Sequence, residues 1–404
     1  MAIYLAGVLA FAVGIAITIA LHELGHMLSA RVFGMRVRRY FVGFGPKLAS
    51  VRKGHTEYGV AAVPFGGFCE IAGMTANDYV TDEEAPYAMV NKPWWQRVAV
   101  LSGGVAVNIL LGLSIIYSVA VASGIPNPYA DHTATVGEVT CTSDQNPETG
   151  ELEPCVGTGA GGEAGIRVGD RILAVDGQDI EDFPQLAEEV AEKPGETVDF
   201  RVERGGEISE VPVTIDEVTR YTTGGEPFAA GSVGLVSQPI EDAVRQFGPV
   251  EAVGATFALT GQMLEATVEG VLSLPSKIPG LINAVLGGQR EEDSPMSVVG
   301  ASMIGGELAE RSLWDVFFMM LASLNFFLAL FNLVPLPPLD GGHIAVVLFE
   351  RIRDFFRRLN GRGPGGPVNY EKLMPITYVA AAALISLGGL VLIADVVNPI
   401  RLFG

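Results

Sequence analysis

Basic side chains are scarce in this 404-residue chain: 26 Lys and Arg stand against 46 Asp and Glu, leaving a formal charge of −20. A nucleic-acid binder needs a basic face to neutralise phosphates, so the balance argues against that class. Charge of either sign is thin as well, because hydrophobic residues make up 49% and the mean hydropathy is +0.36. A soluble enzyme with an evenly charged surface does not combine these values. The two properties are segregated along the chain. Residues 127–247 hold 25 Asp and Glu against 7 Lys and Arg, a net charge of −18, between apolar flanks. A membrane protein with an acidic aqueous domain fits this pattern, and the length allows two or three domains.

The N-terminus lacks the basic region that opens a secretory signal, and His22, Glu23 and His26 interrupt the place where a signal's apolar core would end. Residues 2–30 therefore read as a retained span, longer than the roughly 20 residues a bilayer requires. Further spans are expected over 97–124, 313–334 and 374–397. In the second, Ser102, Gly103 and Gly104 permit close helix packing, while Asn108 needs a polar partner if it lies in lipid. The apolar stretch 250–274 carries Glu265 and Glu269 on one helical face and reads as an interfacial helix. Arg31, Arg36, Arg38, Arg39, Lys47, Arg52 and Lys53 lie between the first two spans; Arg351, Arg353, Arg357, Arg358, Arg362 and Lys372 lie between the last two. The positive-inside rule assigns both clusters to the cytoplasm, which four spans allow and a fifth would not. The acidic window is then external.

Residues 34–70 alternate apolar and polar character and read as short β-hairpins on the cytoplasmic face, with turns at Pro46, Pro64 and Gly66-Gly67. Residues 75–95 read as a surface loop ending in an aromatic anchor, Pro93-Trp94-Trp95. In the acidic window, strands are expected near 133–139, 171–176, 197–203 and 208–215, and a helix over Phe183–Ala191 opened by Asp182 as N-cap. Asp176-Gly177 is a strong hairpin-turn signal. Cys141 and Cys155 bracket a polar insertion, and an external location would allow a disulfide between them; Cys69 is expected to stay reduced. The diffuse acidity favours hydration in high salt, as in a halophile, over a local docking site for a basic partner.

The most informative word is His22-Glu23-Leu24-Gly25-His26. Helical residues four apart share a face, so both imidazoles can reach one ion, with Glu23 beside it to hold and move a proton. Ionisable groups inside a span are functional candidates by default; the bland alternative is a structural polar cluster. A hydrolytic zinc site takes three protein ligands and keeps a position for water. His55, on a surface hairpin, and His132, expected outside, are poor third ligands. Asp340 is better, because the third span descends to the side of His22 and His26 and ends in Phe-Asn-Leu-Val-Pro-Leu-Pro-Pro-Leu-Asp-Gly-Gly-His. Pro335, Pro337 and Pro338 forbid a regular helix there, and Gly341 and Gly342 permit tight turns. A helix cap is the alternative role for Asp340, and His343 reads as supporting or structural. Asn325 and Asn332 share a helix face and either orient substrate or join helices; Asn108 belongs with them as a candidate for positioning substrate or an oxyanion.

These motifs resemble the site-2 protease family of intramembrane zinc metalloproteases, in the form that carries a PDZ domain. HELGH (22–26) and NLVPLPPLDGGH (332–343) match its two zinc motifs; VGFGP (42–46), TEY (56–58) and PFGGF (64–68) resemble its intervening segment, and AGIRVGDRILAVDGQDI (164–180) its PDZ core. The resemblance implies Zn2+ held by His22, His26 and Asp340, with Glu23 as base. It also implies cleavage of the transmembrane segments of membrane-anchored proteins in regulated intramembrane proteolysis, after an upstream protease has trimmed the substrate. The fold expected is an α-helical polytopic membrane protein of about four transmembrane helices, with a cytoplasmic-side β-hairpin region and an external α+β PDZ-like domain that filters substrates by size or end. The 141–155 insertion departs from the family's shorter strand connection. The division expected is a first span at 1–33, hairpins and loop at 34–95, a second span at 96–125, and the PDZ-like domain at 126–218. A linker with the interfacial helix follows at 219–312, then the third span with its LDG motif at 313–348, a basic loop at 349–372 and the fourth span at 373–404. The rival readings are a membrane scaffold with a structural metal motif and a metal transporter using the His/Asp cluster.

Overall fold

A computed structural model of the chain describes residues 1–75, 78–147, 149–222, 226–288, 290 and 293–402. The chain forms two units, one of residues 1–125 with 246–404 and the other of residues 126–245. The first opens with helix α1 (Ala2–Val32), then strands β1 (Val37–Lys53) and β2 (Thr56–Ile71), and helices α2 (Trp94–Leu101) and α3 (Gly103–Ala122). The two strands are long but bend on themselves. Residues 39–42 of β1 pair with two stretches of β2, 57–60 and 67–70, and Lys53 pairs with Thr56 where the hairpin closes. Positive φ angles at Gly43, Gly45 and Gly66 mark the bends close to the expected turns. The expected span from residue 97 begins instead at Gly103, because the chain breaks at Ser102 and leaves α2 as a separate short helix.

The second unit is α+β. Its main sheet is antiparallel in the order Gln178–Asp179, Arg171–Val175, Thr197–Arg204, Glu207–Thr214. Alternate residues Val198, Phe200 and Val202 are buried against Ile172, Leu186, Val190 and Ile215. Helix α4 (Gly159–Glu163) precedes the sheet, and α5 (Phe183–Ala191) has the expected bounds. Asp182 Oδ1 accepts the Gln185 amide at 2.8 Å, the N-cap bond read from the sequence. Asp176 and Gly177 both have positive φ, as a two-residue hairpin turn requires. Cys141 and Cys155 form a disulfide, while Cys69 is free. The hairpin Asp216–Tyr221/Pro227–Ser232 carries no alternating signal and was not expected; it anchors the insertion, with Asp144 Oδ1 accepting the Thr219 amide at 2.7 Å.

The first unit resumes with α6 (Glu251–Val285), α7 (Val298–Glu310), α8 (Trp314–Leu333), α9 (Asp340–Leu359) and α10 (Met374–Val397). Among the described residues, four helices, α1, α3, α8 and α10, are long and apolar enough to cross a membrane. Residues 250–274 fall almost wholly within α6, whose Ala252, Ala255 and Leu259 pack on Ile116, Val119 and Ala120 of α3 and Ala322 and Phe326 of α8. Helix α7 was not expected. Its Gly305 and Gly306 let it lie directly on Phe11, Val8 and Tyr4 of α1, the close approach that small residues allow in membrane helices. The stretch read as a basic loop from 349 is helical through Leu359.

Candidate metal centre

His22 and His26 lie one turn apart on α1, 8% and 7% exposed, with ring centroids 4.9 Å apart. His26 Nδ1 lies 2.9 Å from the Val100 carbonyl at the end of α2. A carbonyl only accepts, so Nδ1 carries the proton and Nε2 presents a lone pair. Asp340 arrives from the other end of the sequence as the first residue of α9. The chain turns sharply after α8: the prolines at 335, 337 and 338 stop the helix, and the turn closes so tightly that a Cβ on Gly342 would lie 2.6 Å from Pro337 N. Asp340 Oδ2 then stands 3.3 Å from the Nε2 atoms of both His22 and His26, which are 3.2 Å from each other.

These separations test the donor set. Ligands about 2.0–2.1 Å from a tetrahedral zinc ion are about 3.3 Å apart, so the three atoms already stand at the corners such an ion needs. Gly104 of α3 keeps the space open, since a Cβ there would lie 2.5 Å from His26 Nε2 and 2.6 Å from His22 Nε2. Gly103 does the same for the helix crossing: its Cβ would lie 2.6 Å from the Gly25 carbonyl oxygen. His22, His26 and Asp340 form the metal-competent cluster found among the described residues. His55 sits on the hairpin turn beside Arg36, at 2.8 Å. His343 stays outside the cluster, stacked on Tyr370 with Nδ1 3.4 Å from its hydroxyl. Burial holds His343 below its usual value against the opposing field of Asp340, and pushes the Tyr370 phenol up to about 12.

Glu23 points to a different neighbour. Its Cγ would be 3.1 Å from a Cβ on Gly67, so β2 forms the wall against which it rests. Above the metal layer, Thr18 Oγ1 accepts a hydrogen bond from Asn325 Nδ2 at 3.3 Å, and Asn325 Nδ2 also reaches the Leu321 carbonyl at 2.8 Å. Asn108, one turn along α3 from Gly104, is fully buried, and neither amide atom has a partner among the described residues. Asn332 is half-buried near the end of α8. Gly104, Gly67 and the Val100 carbonyl had not been singled out for these roles. Gly104 was legible only as a small residue for packing, and a backbone carbonyl leaves no residue-type signal.

Residues 10–362 match the family model described as peptidase family M50. The chain belongs to that family. Among its relatives, the zinc metalloprotease Rip1 of Mycolicibacterium smegmatis is 44% identical over 404 residues, covering 98% of each chain. Zinc metalloprotease Rip1 of Mycobacterium tuberculosis is 43% identical over 405 residues, covering 99% of each. A membrane metalloprotease of Arabidopsis thaliana, ARASP, is 30% identical over 344 residues, covering 83% of this chain and 68% of its own. The resemblance to site-2 proteases drawn from HELGH and the LDG motif therefore holds. The buried two-histidine, one-carboxylate donor set is a zinc site, and this M50 chain is a multi-pass, membrane-embedded zinc metalloendopeptidase.

Proposed function

We propose that His22, His26 and Asp340 hold the zinc ion, that Glu23 is the proton-transferring base, and that the substrates are membrane-anchored proteins cut within their transmembrane segments. The observation that carries this reading is the convergence of His22 Nε2, His26 Nε2 and Asp340 Oδ2 at 3.2–3.3 Å inside an apolar helix bundle. When bound, zinc supplies Lewis acidity that activates water and polarises the scissile carbonyl. Glu23, resting against Gly67 of β2, removes the proton from the attacking water and returns it to the leaving nitrogen. Asn108, with its amide group unsatisfied, and the half-buried Asn332 on α8 position the substrate backbone, whereas the fully buried Asn325, bonded to Thr18, joins α8 to α1. A transmembrane helix hides its carbonyls, so cleavage requires local unwinding, and weak helix formers near the scissile bond favour it. Residues 67–70 of β2 pair on one side with β1, and their other edge is suited to receive the extended substrate strand.

In this reading the metal end faces the cytoplasm, in line with the positive-inside assignment, and residues 126–218 form an external PDZ-like domain that filters substrates trimmed by an upstream protease. The Cys141–Cys155 disulfide in one unit and the free thiol of Cys69 in the other support that orientation, since disulfides persist in oxidising compartments. The test is cleavage of a tagged membrane substrate by the reconstituted full chain, with metal analysis. Glu23→Ala should keep zinc and lose turnover by about 10²–10⁴-fold; Asp340→Ala should bind zinc more weakly. Full turnover in Glu23→Ala, or metal flux without cleavage, would overturn the assignment.

A further inference from the structure

Helix α9 begins at Asp340 in the metal cluster and ends among side chains that no described residue covers. Leu348, Phe349, Ile352, Phe355, Phe356 and Leu359 are 39–68% exposed. At 100° per residue they occupy one stripe, opposite the buried Val347 and Glu350. Such a stripe would be a liability in water. Its borders are basic: Arg351 and Arg358 lie along one side, Arg353 and Arg357 along the other. The acids of the helix are already committed. Glu350 pairs with Arg97 at 2.7 Å, and Asp354 pairs with Arg353 at 3.0 Å. Arg357 is spent on the Gly363 carbonyl at 2.8 Å. The exposed cations are therefore Arg351, which lies 5.9 Å over the ring of Trp94, and Arg358 and Arg362.

The chain itself selects the occupant of this face. Two apolar helices long enough to span, α8 and α10, bracket α9 in sequence, so it is tethered at the level where the bilayer surface lies. Trp94 and Trp95 of the adjoining α2 are 41% and 50% exposed, as aromatics at a membrane–water boundary are. We propose that α9 is a binding helix for anionic phospholipids: its apolar stripe lies in the leaflet, and Arg351, Arg358 and Arg362 bind the headgroup phosphates. Because α9 is one continuous helix of 20 residues, seating its C-terminal half sets the position of its first residue, so the lipid charge of that leaflet controls how firmly Asp340 is held against His22 and His26. This coupling rests on the proposed zinc site; the lipid binding does not.

The experiment places the full chain in nanodiscs of phosphatidylcholine alone or of phosphatidylcholine with phosphatidylglycerol. It follows amide exchange over 348–359 and the retention of zinc against a competing chelator. Each basic side chain near an anionic surface is worth roughly a five-fold factor, so the three together should slow α9 exchange by on the order of 100-fold in the anionic discs. Zinc release should slow in parallel. The triple variant Arg351→Gln/Arg358→Gln/Arg362→Gln should exchange alike in both lipids. Equal exchange of the wild type in both compositions would overturn the proposal, as would a lipid response that survives the triple variant or protection that tracks the number of chains per disc, the mark of a second copy on this face. If lipid-dependent exchange appears while zinc release is unchanged, the coupling to Asp340 is overturned. A chain that cleaves nothing would count against the peptidase assignment alone, because neither readout uses turnover.

Discussion

Gly104 and His26 stand so close that a single methyl group would separate them: a Cβ on the glycine would lie 2.5 Å from His26 Nε2. The imidazole cannot retreat freely, because its other nitrogen is held by the Val100 carbonyl at 2.9 Å. Helix α3 thus belongs to the metal centre although it supplies no ligand to it.

Replacing Gly104 with alanine should therefore lower zinc affinity by on the order of 10–100-fold, the range seen when groups supporting a metal ligand are disturbed. Helicity should be unchanged, since alanine favours the helix. Metal content and circular dichroism of the variant check both; normal zinc binding would mean that the helices part without effect on the site.

The Arg97–Glu350 pair joins α2 to α9 with both side chains about nine-tenths buried, and Glu350 also accepts the Val368 amide at 2.7 Å. Removing one charge strands the other, so Arg97→Leu should destabilise the helical unit by about 3–5 kcal/mol. Arg97→Leu/Glu350→Leu should recover much of that loss. Denaturation of the two variants in matched detergent gives the comparison.

Acid should loosen the second unit at Asp170. Burial alone would raise its carboxyl, yet hydrogen bonds from Arg204 and the Arg167 amide outweigh burial and hold it below its usual value. A depressed carboxyl contributes stability above the unfolded value of about 3.9, and that stability is lost as pH falls through the folded value. Asp170→Asn should be less stable than wild type at neutral pH and show a shallower loss on acidification. Parallel acid profiles would refute the assignment.

The disulfide closes a loop with a sequence separation of 14 between Cys141 and Cys155. Cys141→Ser/Cys155→Ser should lower the stability of the second unit by up to about 3 kcal/mol. Zinc content should not change, because the cluster lies in the other unit. Differential hydrogen exchange of the two units, with metal analysis, distinguishes a local from a general effect.

Much of this was readable residue by residue. The four apolar runs, α5 with its Asp182 cap, the Asp176-Gly177 turn and the HELGH face rest on local rules: hydropathy, end-capping and the 3.6-residue repeat. Helix α7 escaped because its glycines weaken any helical signal and become favourable only once Phe11 and Tyr4 lie against them. The basic stretch after 349 reads as a loop by its charge, whereas Phe349, Ile352, Phe356 and Leu359 recur three to four residues apart between the arginines and carry a helical stripe. The expectation of high-salt adaptation from the acidic window finds no support in the fold or the relatives.

By itself the sequence determined which segments are apolar enough to span, where one metal-binding face lies, and that Asp340 follows a helix-breaking turn. Only the tertiary structure decided that this carboxylate stands 3.3 Å from both imidazoles, that Gly104 leaves room for an ion, and that β2 braces Glu23. Local propensities act over a few residues along the chain, whereas coordination depends on distances of a few ångströms between segments about three hundred residues apart, and only close packing of helices sets those distances.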